Sequence, residues 1–347
     1  SQILGIVLTK RRNGEGFIEL AGFPHHSVDS YLPKLVRAGL RVAICDQLED
    51  PKSVKGIVKR GVTELVTPGV TFNDQVLNSK KNNFLLSIHK EKEKFGLALV
   101  DISTGELLVC EGNLEKLLHV VHTFDPSEII YQRNKELPTQ FKNKSAFKLE
   151  DWAFQYSYAH EKLLNHFNTN SLKGFGVENL ELAITAAGAI FAYLVEDTHH
   201  ALLKHITKIS KIPQEDYLMM DQFTLRNLEI VYPSSAGGKS LLDIIDKTST
   251  PMGGRLLRRR IILPLKSVAE INRRLALVEF FNKEDSLKFS ILNHLKSISD
   301  LDRLMGKLAS EKISPKELGY LRESLKSIKE IKTELAKFHD FLAWIEP

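Results

Sequence analysis

The chain reads as a multidomain protein, two α/β units followed by an all-helical one, and three observations carry that reading. Its 347 residues are about twice what a single domain usually takes. Strand-like and helix-like stretches alternate in the first half, whereas beyond residue 157 apolar residues recur mainly at three- and four-residue steps. Hydrophobic residues at 43% and charged residues at 26% are ordinary globular values, which rules out a disordered or low-complexity chain.

The first unit, residues 1–75, is a small mixed α/β domain of short apolar stretches punctuated by Gly14, Gly16, Gly22, Pro24, Gly39 and Thr67-Pro68-Gly69. Tyr31 to Ala38 has helical spacing and Gly39 ends it; Val42 to Cys45 and Val62 to Val66 read as strands. Phe17, Ile18 and Leu20 fit a buried strand. A polar stretch, Asn78 to Asn83, separates this unit from the second, residues 80–205. There Phe84 to Ile88, Phe95 to Ile102 and Glu106 to Cys110 read as strands, with a hairpin turn at Ser103-Thr104-Gly105. Leu114 to Phe124 reads as a helix, Ile129 to Tyr131 as a strand, and Leu182 to Ile206 as one long helix.

The third unit, residues 206–347, announces its helices by their caps. Ser267 with Glu270 and Ser314 with Glu317 have capping-box spacing, and Thr250 precedes a Pro at a first helical position. The last helix carries an apolar stripe from Leu318 to Ile345, about 28 residues or roughly 40 Å at 1.5 Å per residue, which suits a lever. Its lower half, Ile331 to Ile345, is expected to lack a partner. A chain that starts without Met, with a stripe that has no C-terminal glycine stop, is expected to be part of something longer.

The longest nearly apolar run, Ala183 to Val195, is too short for the ~20 residues of a membrane span, and Ser1 to Thr9 is not a secretory signal. With Cys45 and Cys110 the only cysteines, no disulfide framework or CxxC knuckle can be built. A cytoplasmic protein is expected. Residues 1–75 hold ten Lys and Arg against eight Asp and Glu, a mild excess within a net charge of +5. Lys10-Arg11-Arg12 and Lys59-Arg60 lie beside turns and strand starts, where cations and backbone amides can meet phosphate.

Other strings are weaker. Ala236-Gly237-Gly238-Lys239-Ser240 ends like a phosphate-binding loop, but Pro233 stands where that pattern needs Gly. Asp101 after an apolar strand has the placement of a metal-dependent nuclease ligand, with Glu106 and Glu128 as candidate companions; the alternative is an Asp that opens a hairpin turn. His119 and His122 share a helix face but have no third ligand at metal-site spacing. Arg258-Arg259-Arg260 lies on a helix whose apolar side must be buried, so ion pairs explain part of it.

Several strings fit one family together and in order: Leu4-Gly5-Ile6, Leu8-Thr9-Lys10-Arg11, Ala21-Gly22-Phe23-Pro24-His25-His26, Tyr31-Leu32 with Lys34-Leu35-Val36, and Val42-Ala43-Ile44-Cys45-Asp46-Gln47. Val66-Thr67-Pro68-Gly69, Gly174-Phe175-Gly176-Val177-Glu178, Asn227-Leu228-Glu229-Ile230 and Thr250-Pro251-Met252-Gly253 continue it. Over nearly its whole length the chain resembles the MutS family of bacterial DNA mismatch-repair proteins. The resemblance implies the later part of a mismatch-binding domain, a connector domain with an RNase H-like fold, and the start of a helical core and lever.

On that resemblance the DNA-facing residues are Lys10, Arg11 and Arg12, Leu20 near the groove, His26, Lys59 and Arg60. The family's Phe-x-Glu wedge falls upstream of the match, and its clamp and ATPase fall downstream. It therefore implies a non-catalytic piece with no cofactor of its own, ATP and Mg²⁺ belonging to the full-length protein. The implied partners are mismatched double-stranded DNA, MutL through the connector, and a second copy in the full-length homodimer.

Overall fold

The computed structural model describes residues 1–338, apart from 15, 51–55, 142–143, 200–202, 213–216, 219 and 236. The first unit opens with two antiparallel strands, β1 (Leu8–Asn13) and β2 (Gly16–Ala21), paired from Leu8 opposite Ala21 to Asn13 opposite Gly16. Gly14, at φ +60°, occupies the left-handed region that a tight reversal requires. A 3₁₀ turn at His25–Ser27 leads into α1 (Val28–Arg37), which Gly39 terminates at φ +83°. Two further antiparallel strands, β3 (Val42–Gln47) and β4 (Arg60–Val66), pair with a register shift between Ile44 and Cys45. Leu32, Val36 and Val66 form a small core against Val28, Val42, Ile44 and Val76.

The β1–β2 ribbon adds nothing to that core. Phe17 is 71% exposed and Ile18 and Leu20 are exposed too, which corrects the expectation of a buried strand. Alternation reports a buried face only where another layer covers it, and this ribbon is a separate two-stranded sheet.

The second unit is a six-stranded mixed sheet. Strands β5 (Leu85–Glu91), β6 (Lys94–Asp101) and β7 (Glu106–Gly112) form an antiparallel meander. After α2 (Leu114–Phe124), capped by the Asn113 side chain on Lys116 N, strand β8 (Glu128–Gln132) runs parallel to β5. Next come β9 (Ala146–Leu149), parallel to β8, then α3 (Tyr156–Phe167) and α4 (Glu181–Ala192). The two-residue strand β10 (Ser210–Lys211) runs parallel to β7, giving the order β10-β7-β6-β5-β8-β9. One face, with Leu85, Ala98, Val100 and Ile130, packs on α3 and α4; the other, with Leu86, Leu97, Leu99 and Ile129, packs on α2. Burial on both faces explains why these strands read as apolar runs.

The long helix expected over Leu182 to Ile206 is shorter. α4 passes into one π turn, Tyr193–Asp197, and His199 takes φ +58°, which ends it. Leu203 and Ile206 still reach the core from outside the helix, so apolar spacing persisted where the helix did not.

The remaining helices are α5 (Gln222–Asn227), α6 (Leu241–Ile245), α7 (Pro251–Ile262), α8 (Val268–Lys283), α9 (Asp285–Lys296), α10 (Leu301–Ala309) and α11 (Pro315–Leu335). Thr250, Ser267 and Ser314 are N-caps as their spacing predicts, and Ser314 with Glu317 closes a full capping box. α11 spans 21 residues, about 32 Å at 1.5 Å per residue, rather than 28. Its expected lack of a partner is also corrected over the described part, because Ile331, Leu335 and Phe338 pack against Leu277, Phe280, Leu287 and Ile291 of α8 and α9. The stripe beyond residue 338 lies outside the described residues.

Candidate nucleic-acid interface

Strand register sorts the cations of the first unit. Directly opposed residues in an antiparallel pair share a face, and neighbours along a strand do not. Lys10 faces with its partner Glu19, and Arg12 with Phe17; Arg11 faces the other way with Ile18, alongside Thr9 and Leu20. Lys10 and Arg11 therefore lie within a strand and on opposite faces, not together in a turn, and Leu20 accompanies Arg11 alone. Each face carries positive charge beside exposed apolar surface.

None of these three side chains makes an ion pair with a described residue, although Arg12 Nε lies 3.4 Å from the Gly14 carbonyl it donates to. Glu19 stands across from Lys10 without closing on it. His26, in the 3₁₀ turn, is exposed. Lys59 and Arg60 sit at the start of β4, in a different two-stranded sheet, with Arg60 opposite Gln47. The Lys59 amide donates to the Glu49 carboxylate at 3.0 Å, while its side chain is exposed. Phe17 is the exposed residue that sequence patterning misplaced, on a strand with nothing to bury it.

The carboxylates that suggested a nuclease are all engaged. Asp101 is fully buried: its Oδ1 accepts from the Ser103 amide at 3.0 Å and hydroxyl at 2.6 Å, and its Oδ2 from Asn82 Nδ2 at 3.0 Å and the Asn83 amide at 3.1 Å. It opens the Ser103-Thr104-Gly105 turn, the plainer of its two readings. Glu106 takes two 2.5 Å bonds from the Arg259 guanidinium. Glu128 is buried among donors of the first unit and of the π turn. Among the described residues no group of three or more His, Cys, Asp or Glu is placed to hold a metal ion. Burial pushes both His119 and His122 down, toward the neutral form.

The glycine-rich string has a structural use as well. Ser240 is buried as the N-cap of α6 in a reciprocal box with Asp243, so the string leads into a helix cap.

Three family models match the chain in succession: MutS domain I over residues 1–75, MutS domain II over 83–207, and MutS domain III over 223–343. The chain belongs to the MutS family. It is 52% identical over 339 residues to the DNA mismatch repair protein MutS of Christiangramia forsetii, covering 97% of this chain and 39% of that protein. The MutS of Flavobacterium psychrophilum is 53% identical over 342 residues, with the same coverage, and that of Bacteroides thetaiotaomicron 51% over 336 residues, covering 96% and 39%. The chain thus spans about two fifths of the length of these MutS relatives. The exposed ribbon, Lys59 and Arg60 all fall within the stretch matched by MutS domain I.

Proposed function

We propose that this chain is the DNA-contacting and signal-transmitting part of a mismatch-repair protein, itself non-catalytic, working on double-stranded DNA with mispairs in the bacterial cytoplasm at the nucleoid. The observation that carries the reading is the β1–β2 ribbon: exposed on both faces, with Lys10 and Arg12 on one side, Arg11 on the other, and, among the described residues, no carboxylate closed on any of them. A two-stranded ribbon fits a DNA groove, and cations on both faces can meet the phosphates of both groove walls. Lys59 and Arg60 extend the phosphate contacts, His26 supplies an exposed hydrogen-bonding group, and Leu20 lies against the groove floor with Arg11.

The division into a mismatch-binding unit (1–75), a connector (80–205) and a core and lever (206–347) belongs to the same proposal, except that β10 (Ser210–Lys211) joins the connector's sheet and moves that boundary past residue 211. An RNase H-like connector is supported by the antiparallel meander β5–β7 continued by parallel β8 and β9. MutL is proposed to dock on that connector, and the whole protein to act as a homodimer that uses ATP and Mg²⁺ in another part of its chain.

A titration of matched and G·T-mismatched duplexes at two salt concentrations tests the DNA reading. Three to five phosphate contacts give a log–log salt slope of about −3 to −4 and Kd near ~10⁻⁴ to 10⁻⁶ M at physiological salt. Arg11→Ala and Arg60→Ala should each flatten the slope by about one contact. Binding that ignores salt and both substitutions would place the interface elsewhere, and a mismatch preference above about fivefold would show that this part discriminates without a wedge.

A further inference from the structure

The first unit and the six-stranded sheet meet at a carboxylate. Glu128, at the start of β8, is wholly buried, and three donors converge on it. Its Oε2 accepts from the Thr67 hydroxyl and from the Gly69 amide at 3.0 Å; its Oε1 accepts from the Tyr193 hydroxyl at 2.6 Å. Thr67 and Gly69 belong to the turn that follows β4, closed by reciprocal 3.1 Å bonds between Thr67 and Val70. Tyr193 belongs to the π turn after α4. One side chain thus ties the exit of the first unit to two elements of the second.

The surroundings are shaped for this contact. A Cβ on Gly69 would lie 2.8 Å from the Glu128 Cβ and 3.2 Å from the Leu85 Cβ, so glycine is needed for the turn to come this close. The Leu65 amide donates to the Thr198 carbonyl at 3.3 Å, and the Arg41 guanidinium stands 3.7 Å from the Phe147 ring centroid and 5.6 Å from that of Tyr193. Burial first, and then Glu128, push the Tyr193 phenol well above its ordinary range, so it remains a donor at every working pH. A carboxylate accepts from all three donors at once, whereas Gln would turn an NH₂ group toward one of them, and that hydroxyl would have to switch from donor to acceptor.

We infer that Glu128 is a positioning residue that fixes the orientation of the first unit on the six-stranded sheet, with Thr67 and Gly69 as its counterparts across the joint. The inference is independent of whether the ribbon meets DNA. Loss of the Thr67 hydroxyl removes a donor from the first unit and leaves every residue of the sheet in place. The first unit should then sample several orientations while each unit stays folded.

Spin labels on Cys45, which is exposed on β3, and on Glu93→Cys, in the exposed β5–β6 turn, report that orientation by pulsed electron–electron distance measurement. Cys110 is buried and its thiol, pushed up to about 12 by burial, stays unlabelled. Thr67→Val and Glu128→Gln should each widen the distance distribution at least twofold, and Thr67→Ser should restore the narrow one. Amide protection in α1 and β3 should be unchanged in Thr67→Val. A distribution as narrow as wild type in Thr67→Val overturns the inference. So does widening accompanied by lost protection in α1 and β3, since that is local unfolding. Where Glu128→Gln does not fold, the Thr67→Val and Thr67→Ser pair decides alone.

Discussion

Replacing Arg255 by Ala should be among the most damaging single changes in the helical part. The guanidinium is 5% exposed and donates to Asp300 through both nitrogens, at 2.6 and 2.8 Å, to Asp302 at 2.8 Å, and to the Ser79 carbonyl at 3.0 Å. Asp300 is nearly buried at 15% exposure, whereas Asp302 is half exposed. Leaving a buried charge unpaired costs about 3–5 kcal/mol; Arg303 Nε, 3.7 Å from Asp300, keeps part of the pairing, so the lower end of that range applies, and the half-exposed Asp302 adds at most ~1 kcal/mol. Several units of this size do not unfold in one step, so the reading must be local. Urea-dependent amide exchange along α7 provides it. Asp300 also caps α10 on the Arg303 amide, so Asp300→Asn carries a cost of its own, and the double mutant isolates a coupling of about 1–3 kcal/mol. Arg255→Lys should recover only part, because one ammonium cannot fork to a carboxylate. A loss under about 1 kcal/mol in Arg255→Ala, or a coupling under about 0.5 kcal/mol, would refute the assignment of this pair as a fastening.

The other expectations are shorter. Gly188→Ala should destabilise the second unit by about 1–3 kcal/mol, since its Cβ would lie 2.3 Å from that of Ala159 where α3 crosses α4; a neutral effect in thermal unfolding would show that the helices can part. Burial alone would raise the Asp125 carboxyl, but Lys81 and Lys144 outweigh it and hold it well below the usual carboxylate range. Its stabilisation is then complete above the unfolded value of about 3.9 and is lost as pH falls from there through the folded one, so the Tm gap between wild type and Lys81→Met should close with acid; a constant gap counts against it. Thiol titration with a colorimetric disulfide should show Cys45 reacting at once and Cys110 only on unfolding; two fast thiols would contradict the burial of Cys110. Calorimetry with ATP and Mg²⁺ should be silent, because the string before Ser240 leads into a helix cap; a micromolar Kd lost in Lys239→Ala would reverse that.

Much of the fold was legible because burial is two-sided where patterning is strongest. Strands β5 to β7 read as apolar runs since α2 covers one face and α3 with α4 the other. Caps were legible because they are local chemistry: Thr250, Ser267 and Ser314 need only their own next three residues. The end of α4 was not, because Leu203 and Ile206 keep helical spacing although the chain has already turned at His199. At the candidate site, charge marked Lys10, Arg11 and Arg12, but only the pairing of Arg11 with Ile18 shows that they divide between two faces. Phe17 was misread for the same reason, since no local signal says that a ribbon stands alone.

The largest gap between sequence and structure is Asn78 to Asn83, whose polarity marks a separator between units. Polarity there means the reverse of looseness. Arg303 donates to the carbonyls of Asn78 and Lys81, at 2.8 and 3.0 Å, and Arg255 to that of Ser79. Lys80 reaches Asp246 at 2.9 Å, Lys81 reaches Asp125 at 2.6 Å, and Asn82 and Asn83 both donate to Asp101. Asn83 also donates to the Pro68 carbonyl, back in the first unit, and accepts from Ser127 at the edge of β8. A segment with almost no apolar surface cannot be held by hydrophobic burial, so any fixed path must come from hydrogen bonds and ion pairs. Six consecutive residues tied to all three units form a knot that carries a displacement of one unit to the others, whereas a flexible tether would absorb it. Glu128 fastens the same three-way region from the sheet side, through the turn that Pro68 occupies. Two small polar clusters a few residues apart in the fold therefore stiffen this joint, and neither cluster depends on the ribbon whose position it fixes.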